Sequence, residues 1–163
     1  MKILVSSCLL GEDVRYDGKN SSITMGSTFT FSDKEIFMDI LCENEIFSFC
    51  PEVSGGLSTP REEAEIVSVD KPFKVMTKTE VDVTIPFLMG AKQALDTCIE
   101  EEIIVALLKS KSPSCGNTMI YDGTFTGNLI EAQGLTARLL SEKGIKVFNE
   151  TQLSEFKKFI KTA

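Results

Sequence analysis

Residues 102–109 read Glu102-Ile103-Ile104-Val105-Ala106-Leu107-Leu108-Lys109. The run from Ile103 to Leu107 is apolar without helical spacing and without alternation, as a strand covered on both faces reads. Such a strand needs helices above and below it, so this stretch points to an α/β protein with a mainly parallel sheet. The segments on either side agree. Upstream, Thr84 looks like an N-cap and Pro86 sits in the first turn of a helix reaching about Glu101. Downstream, Ala132 to Lys143 reads as a helix stopped by Gly144, followed by a strand over Ile145 to Phe148 and an amphipathic helix from about Thr151.

The N-terminal half repeats this alternation. Ile3 to Ser6 is a strand, and Ser32 or Asp33 is placed to cap a helix through Ile36, Phe37, Ile40 and Leu41. Ile46 to Phe49 follows as a strand. Glu65–Val69 and Phe73–Thr77 flank the turn Asp70-Lys71-Pro72 and predict an antiparallel excursion. Met119 to Phe125 predicts a small hairpin about Asp122-Gly123. The expected architecture is a single-domain, three-layer, Rossmann-like fold over residues 1–163, with helices on both sheet faces and a small β-hairpin excursion. Two Tyr-Asp-Gly triplets, at Tyr16 and Tyr121, read as turn chemistry recurring by chance.

Composition narrows the chemistry. Net charge is −7, from 24 acidic and 17 basic side chains, which argues against broad contact with a phosphate backbone. No apolar run is long enough to span a bilayer, and the N-terminal run is too short for a secretion leader, so a cytoplasmic setting is expected. Histidine is absent, which excludes histidine-based triads, histidine zinc sites and histidine proton shuttles. The five cysteines are an odd number, as expected of free thiols in a reducing compartment.

Those cysteines sort into two kinds. Cys42 and Cys98 fall inside predicted helices, where packing is the expected role. Cys8, Cys50 and Cys115 each follow the end of a predicted core strand. Ligands of open parallel sheets bind outside the carboxyl ends of the strands, so loops from that edge deliver three thiols to one cleft. Cys50-Pro51-Glu52 sets a carboxylate two residues from a thiol, just before Gly55-Gly56. Ser112-Pro113-Ser114-Cys115-Gly116 puts two hydroxyls and a thiol on a tight turn below Lys109 and Lys111. Three converging thiols suit a zinc ion with an open position, an iron–sulfur cluster with one iron left free, or a redox dithiol, although no C-x-x-C occurs. Inward-facing turn cysteines with no ligand are the plain alternative.

The runs SSCLLGEDVRYDG, CPEVSGGLSTPRE, LLKSKSPSCG and IYDGTFTG, with GLTARLLSEKGIKVFNE downstream, resemble the 2-thiouracil desulfurase family over about residues 2–150. The resemblance implies a 4Fe–4S cluster held by Cys8, Cys50 and Cys115. It also implies non-redox removal of sulfur from a thiolated pyrimidine, giving uracil and sulfide. A soft thiocarbonyl sulfur is a natural ligand for an open iron. Glu52 is the leading acid–base candidate because its motif ties it to Cys50, with an ion pair to Arg61 as the structural alternative. Ser112 and Ser114 are candidates to hold the base or a water, or else to cap the turn before Cys115. Arg15, Tyr16, Arg61 and Lys109 are candidates to line the substrate pocket. A second reading uses the same cleft without metal, holding a nucleotide or phosphate through Lys109, Arg61 and the amides near Gly55-Gly56. The absence of a G-x-G-x-x-G or Walker pattern counts against it.

Overall fold

A computed structural model describes residues 1–163. The chain runs β1 (Lys2–Ser6), α1 (Phe31–Glu43), β2 (Glu45–Phe49), a single turn α2 (Pro51–Ser54), β3 (Ala64–Ser68), β4 (Lys74–Thr77), α3 (Thr84–Glu100), β5 (Val105–Leu108), β6 (Met119–Tyr121), β7 (Leu129–Glu131), α4 (Leu135–Glu142), β8 (Lys146–Asn149) and α5 (Leu153–Thr162). The central sheet has four strands in the order β2-β1-β5-β8, and every pairing in it is parallel. β3 with β4, and β6 with β7, form two separate antiparallel hairpins.

Alternation along the strands sorts the core into two layers. Ile3, Val5, Val105 and Leu107 pack on one side with Phe37 and Ile40 of α1 and Leu153 and Phe156 of α5. Leu4, Ala106 and Leu108 pack on the other with Ala94 and Cys98 of α3 and Ala137 and Leu140 of α4. Val105 to Leu108 are fully buried, as a strand covered on both faces requires, but the strand starts two residues later than the apolar run and Ile104 is exposed. Each buried aliphatic side chain contributes roughly 1.5–3 kcal/mol, so the central strands supply much of the driving force.

Several boundaries differ from expectation, each for a local reason. Thr30, not Ser32 or Asp33, caps α1: its hydroxyl accepts the Asp33 N–H while the Asp33 carboxylate accepts the Thr30 N–H, a reciprocal capping box. Thr84 lies inside α3, and its hydroxyl accepts the Val75 N–H, tying the helix start to β4. The hairpin after β5 is wider than residues 119–125, with β7 as its second strand. Phe125 cannot extend a strand at φ 57°. Because β7 takes residues 129–131, α4 begins at Leu135, and α5 begins at Leu153.

α2 and α3 touch through glycine backbone. A Cβ on Gly90 would stand 1.9 Å from the Pro51 carbonyl oxygen, and one on Gly55 would stand 2.0 Å from that of Pro86. Gly90→Ala should therefore destabilise the protein by about 2–3 kcal/mol despite alanine's better helix propensity. A thermal melt should show a fall of about 5–10 °C. A variant as stable as the parent contradicts this packing.

Candidate active site

Each of the three strand-end thiols is positioned by a different local device. Cys8 sits in the 3-10 turn Ser7–Leu10 that continues β1, closed by Gly11 at φ 98°. Cys50 is the residue capping α2, with Pro51 starting the turn. Cys115 lies in a turn built on Ser112, whose hydroxyl oxygen accepts the N–H groups of Ser114 and Cys115, each at 3.1 Å. All three line one cavity of about 500 Å³ at the carboxyl edge of the sheet. Cys8 and Cys115 are buried, and Cys50 is partly buried. Cys98 is buried in the α3 core as expected, but Cys42 is exposed on α1, so packing is not its role.

Burial governs the protonation of these thiols. It pushes Cys8 up to about 12, and the nearby charges of Lys109 and Arg15 offset part of that rise. Burial also raises Cys50 and Cys115. A contact from the Ser6 hydroxyl to Cys115 Sγ, at 3.6 Å, works against the rise at Cys115, while Cys8 and Cys50 add to it. Thiolates so coupled ionise together only beside a compensating cation, which is what a metal centre supplies. No three Cys, Asp or Glu side chains converge closely enough to hold a single metal ion. The thiols instead stand around a cavity, and an all-sulfur donor set without histidine suits a polynuclear iron–sulfur core better than one zinc.

The carboxylate expected beside Cys50 is present and tightly held. Glu52 Oε2 accepts a hydrogen bond from the Ser114 hydroxyl at 2.6 Å, and Glu52 Oε1 accepts one from Arg61 Nε at 3.2 Å. Ser114 is completely buried, so its hydroxyl has this carboxylate as its fixed partner. The Ser112 and Ser114 hydroxyls lie 3.3 Å apart. Ser112 thus shapes the Cys115 turn and Ser114 holds Glu52. Of the two candidate serines, Ser114 alone meets the candidate carboxylate.

The cations are engaged to different degrees. Arg61 also donates to the carbonyls of Ser58 and Val14 and to the Thr59 hydroxyl, which locks the loop after β1 against the loop after α2. Lys109 donates to Glu150 at 2.6 Å, and Glu150 further accepts the Ser110 N–H and hydroxyl. The metal-free reading leaned on these two cations, and carboxylates already neutralise both. Arg15 makes one side-chain hydrogen bond, to Ser21 at 3.0 Å, and Tyr16 lies beside it on the cavity wall.

Glu65, Lys111, Tyr121 and Phe125 also line the cavity and were not singled out from sequence. Glu65 is buried and accepts the N–H groups of Gly123 and Phe125, so it fixes the loop between β6 and β7. The signal for Tyr121 was available: it heads the second Tyr-Asp-Gly triplet.

The profile of the 2-thiouracil desulfurase family matches residues 3–152. The chain belongs to this family. Its Cys8, Cys50 and Cys115 loops all fall within the matched region. Among solved structures, the 4Fe-4S-dependent thiouracil desulfidase TudS is 42% identical, with a TM-score of 0.86 and 99% of each chain covered. The uncharacterized protein YbbK of Bacillus subtilis (strain 168) is 36% identical over 159 residues, covering 94% of this chain and 98% of its own.

Burial orders thiol reactivity in protein prepared without iron. At pH 8, Cys42 should alkylate first, and Cys8 and Cys115 last by at least tenfold in rate. Mass spectrometry of the labelled peptides checks the order, and fast labelling of Cys115 contradicts its burial.

Proposed function

We propose that residues 1–163 act as one iron–sulfur-dependent desulfidase, which removes the sulfur of a thiolated pyrimidine such as 2-thiouracil and releases uracil and sulfide. Cys8, Cys50 and Cys115 would hold the cluster. The observation that carries this reading is the entry of three thiols, from the ends of three adjacent parallel strands, into one cavity. Family membership and the likeness to a desulfidase described as 4Fe-4S-dependent support it. The free thiols fit a reducing, cytoplasmic setting, and no helix is long and apolar enough to cross a membrane.

The reaction replaces a ring C=S by C=O. Water supplies the oxygen, the carbon–sulfur bond breaks, and sulfur leaves as sulfide with no net change of oxidation state. When bound, the cluster supplies a Lewis-acidic iron that draws electron density out of the thiocarbonyl. The remaining work falls to the protein. Glu52 takes a proton from the attacking water at a carboxylate oxygen. Ser114 and Arg61 hold that carboxylate by its two oxygens where it lines the cavity. Ser112 orients the turn bearing Cys115 and keeps the Ser114 hydroxyl in place. Arg15, which has no carboxylate partner, lines the site where anionic sulfide forms, and its positive charge favours that development.

Anaerobic reconstitution should give about four irons per chain and release sulfide from 2-thiouracil. Alanine at Cys8, Cys50 or Cys115 should abolish both, whereas Cys42→Ala should retain both. Glu52→Gln should retain iron and lower kcat by about 10²–10⁴-fold. Iron binding and sulfide release that survive all three cysteine changes would overturn the assignment.

A further inference from the structure

The two Tyr-Asp-Gly triplets are one structural device used twice. In the first, Asp17 Oδ1 accepts the Lys19 N–H at 3.0 Å and Gly18 adopts φ 74°. In the second, Asp122 Oδ1 accepts the Thr124 N–H at 3.0 Å and Gly123 adopts φ 91°. Both are Asx-type turns with a left-handed glycine behind the tyrosine. They lie on loops far apart in sequence, yet Tyr16 and Tyr121 line the same cavity as the three thiols. These are the only tyrosines in the chain.

The backbone at both tyrosines is held. The Tyr16 carbonyl accepts the Arg61 N–H at 2.8 Å, and the Arg15 guanidinium stands 5.8 Å from the Tyr16 ring centre. Tyr121 ends β6 opposite Leu129, and the buried Glu65 carboxylate clamps the two amides that follow it in the loop. Yet Tyr16 remains 38% exposed, which leaves ring surface free for a ligand.

A flat heterocycle held by its sulfur alone turns about the carbon–sulfur axis and presents its carbon to water at no fixed angle. Aromatic faces remove that freedom, and they accept any pyrimidine. We propose that Tyr16 and Tyr121 form an aromatic platform on which the pyrimidine ring stacks, setting the enzyme's preference for planar thiolated heterocycles over non-planar thiocarbonyl compounds. The assignment rests on the desulfidase reading for the identity of the ring, but not for the stacking itself.

The chain has no tryptophan, so its near-ultraviolet emission comes from these two tyrosines. Uracil, which has the ring without the sulfur, should quench that emission in iron-free protein. Tyr16→Leu and Tyr121→Leu should each weaken uracil binding, measured by calorimetry, about tenfold, while Tyr16→Phe and Tyr121→Phe stay within twofold of the parent. In cluster-loaded enzyme the leucine variants should raise KM for 2-thiouracil about tenfold and keep iron content unchanged. They should also narrow the rate advantage of 2-thiouracil over thioacetamide. Phenylalanine variants as impaired as leucine variants would show that the hydroxyl, not the ring, is used, and would overturn the platform. So would leucine variants with parental uracil affinity and KM. Uracil binding that depends on both rings, in a protein that releases no sulfide, would leave the platform standing and remove the desulfidase reading.

Discussion

Ser6 pairs with Phe49 across one side of β1, and one residue earlier Val5 pairs with Leu107 across the other. This register brings three parallel strands to their carboxyl ends at one level. Whatever follows them enters the same crevice, and here each is followed within a few residues by a cysteine. Slipping either ladder by one residue would turn every buried side chain of that strand to the opposite layer. The two-layer core therefore enforces the register, and the register brings the thiols together. The same hydrophobic burial that stabilises the sheet sets the spacing of the site.

A second constraint positions the carboxylate. α2 is a single turn, too short to hold its own geometry by helical hydrogen bonding. It is fixed from outside by backbone contact with α3 at Gly55 and Gly90, and by Arg61 and Ser114 gripping Glu52. Arg61 acts here through geometry more than charge. Its planar fork reaches a carboxylate and the carbonyls of two loops at once, which a lysine could not do. The floor and one wall of the cavity are thus tied together through one side chain.

Charge in the cavity is balanced locally although the protein as a whole is acidic. Arg61 is matched by Glu52, and Lys109 by Glu150. The Glu150 carboxylate is burdened by desolvation, yet Lys109 and the Ser110 donors outweigh that cost and keep it on the ionised side of its usual range. With these pairs closed, and with the buried Glu65 held by backbone amides, the three thiols are the donors of the cavity that no hydrogen-bonded ion pair engages. The polar surroundings are settled, and the sulfur donors are left available for a cationic core.

Much of this was legible in the order of residues. Apolar runs such as Ile103–Leu107 announce strands covered on both faces because only such a strand buries consecutive side chains, although the run itself did not mark the strand's first residue. Histidine's absence narrows the chemistry without any coordinates, and the cysteine-bearing loops carry the family resemblance. What stayed hidden depends on contacts between distant segments. Thr30 is an exception, for it takes the cap from Ser32 through a local contact, the capping box with Asp33 three residues on. The wide loop before β7 is held by Glu65, a residue of β3, which accepts the amides of Gly123 and Phe125. Tyr121 comes to line the same cavity as Tyr16 only after two hairpins and a sheet are folded. Residue order alone marks the stretches able to form strands and the cysteines that follow them. Which side chains share the cavity is settled by folding, because the register and hydrogen bonds that bring them together join residues many positions apart.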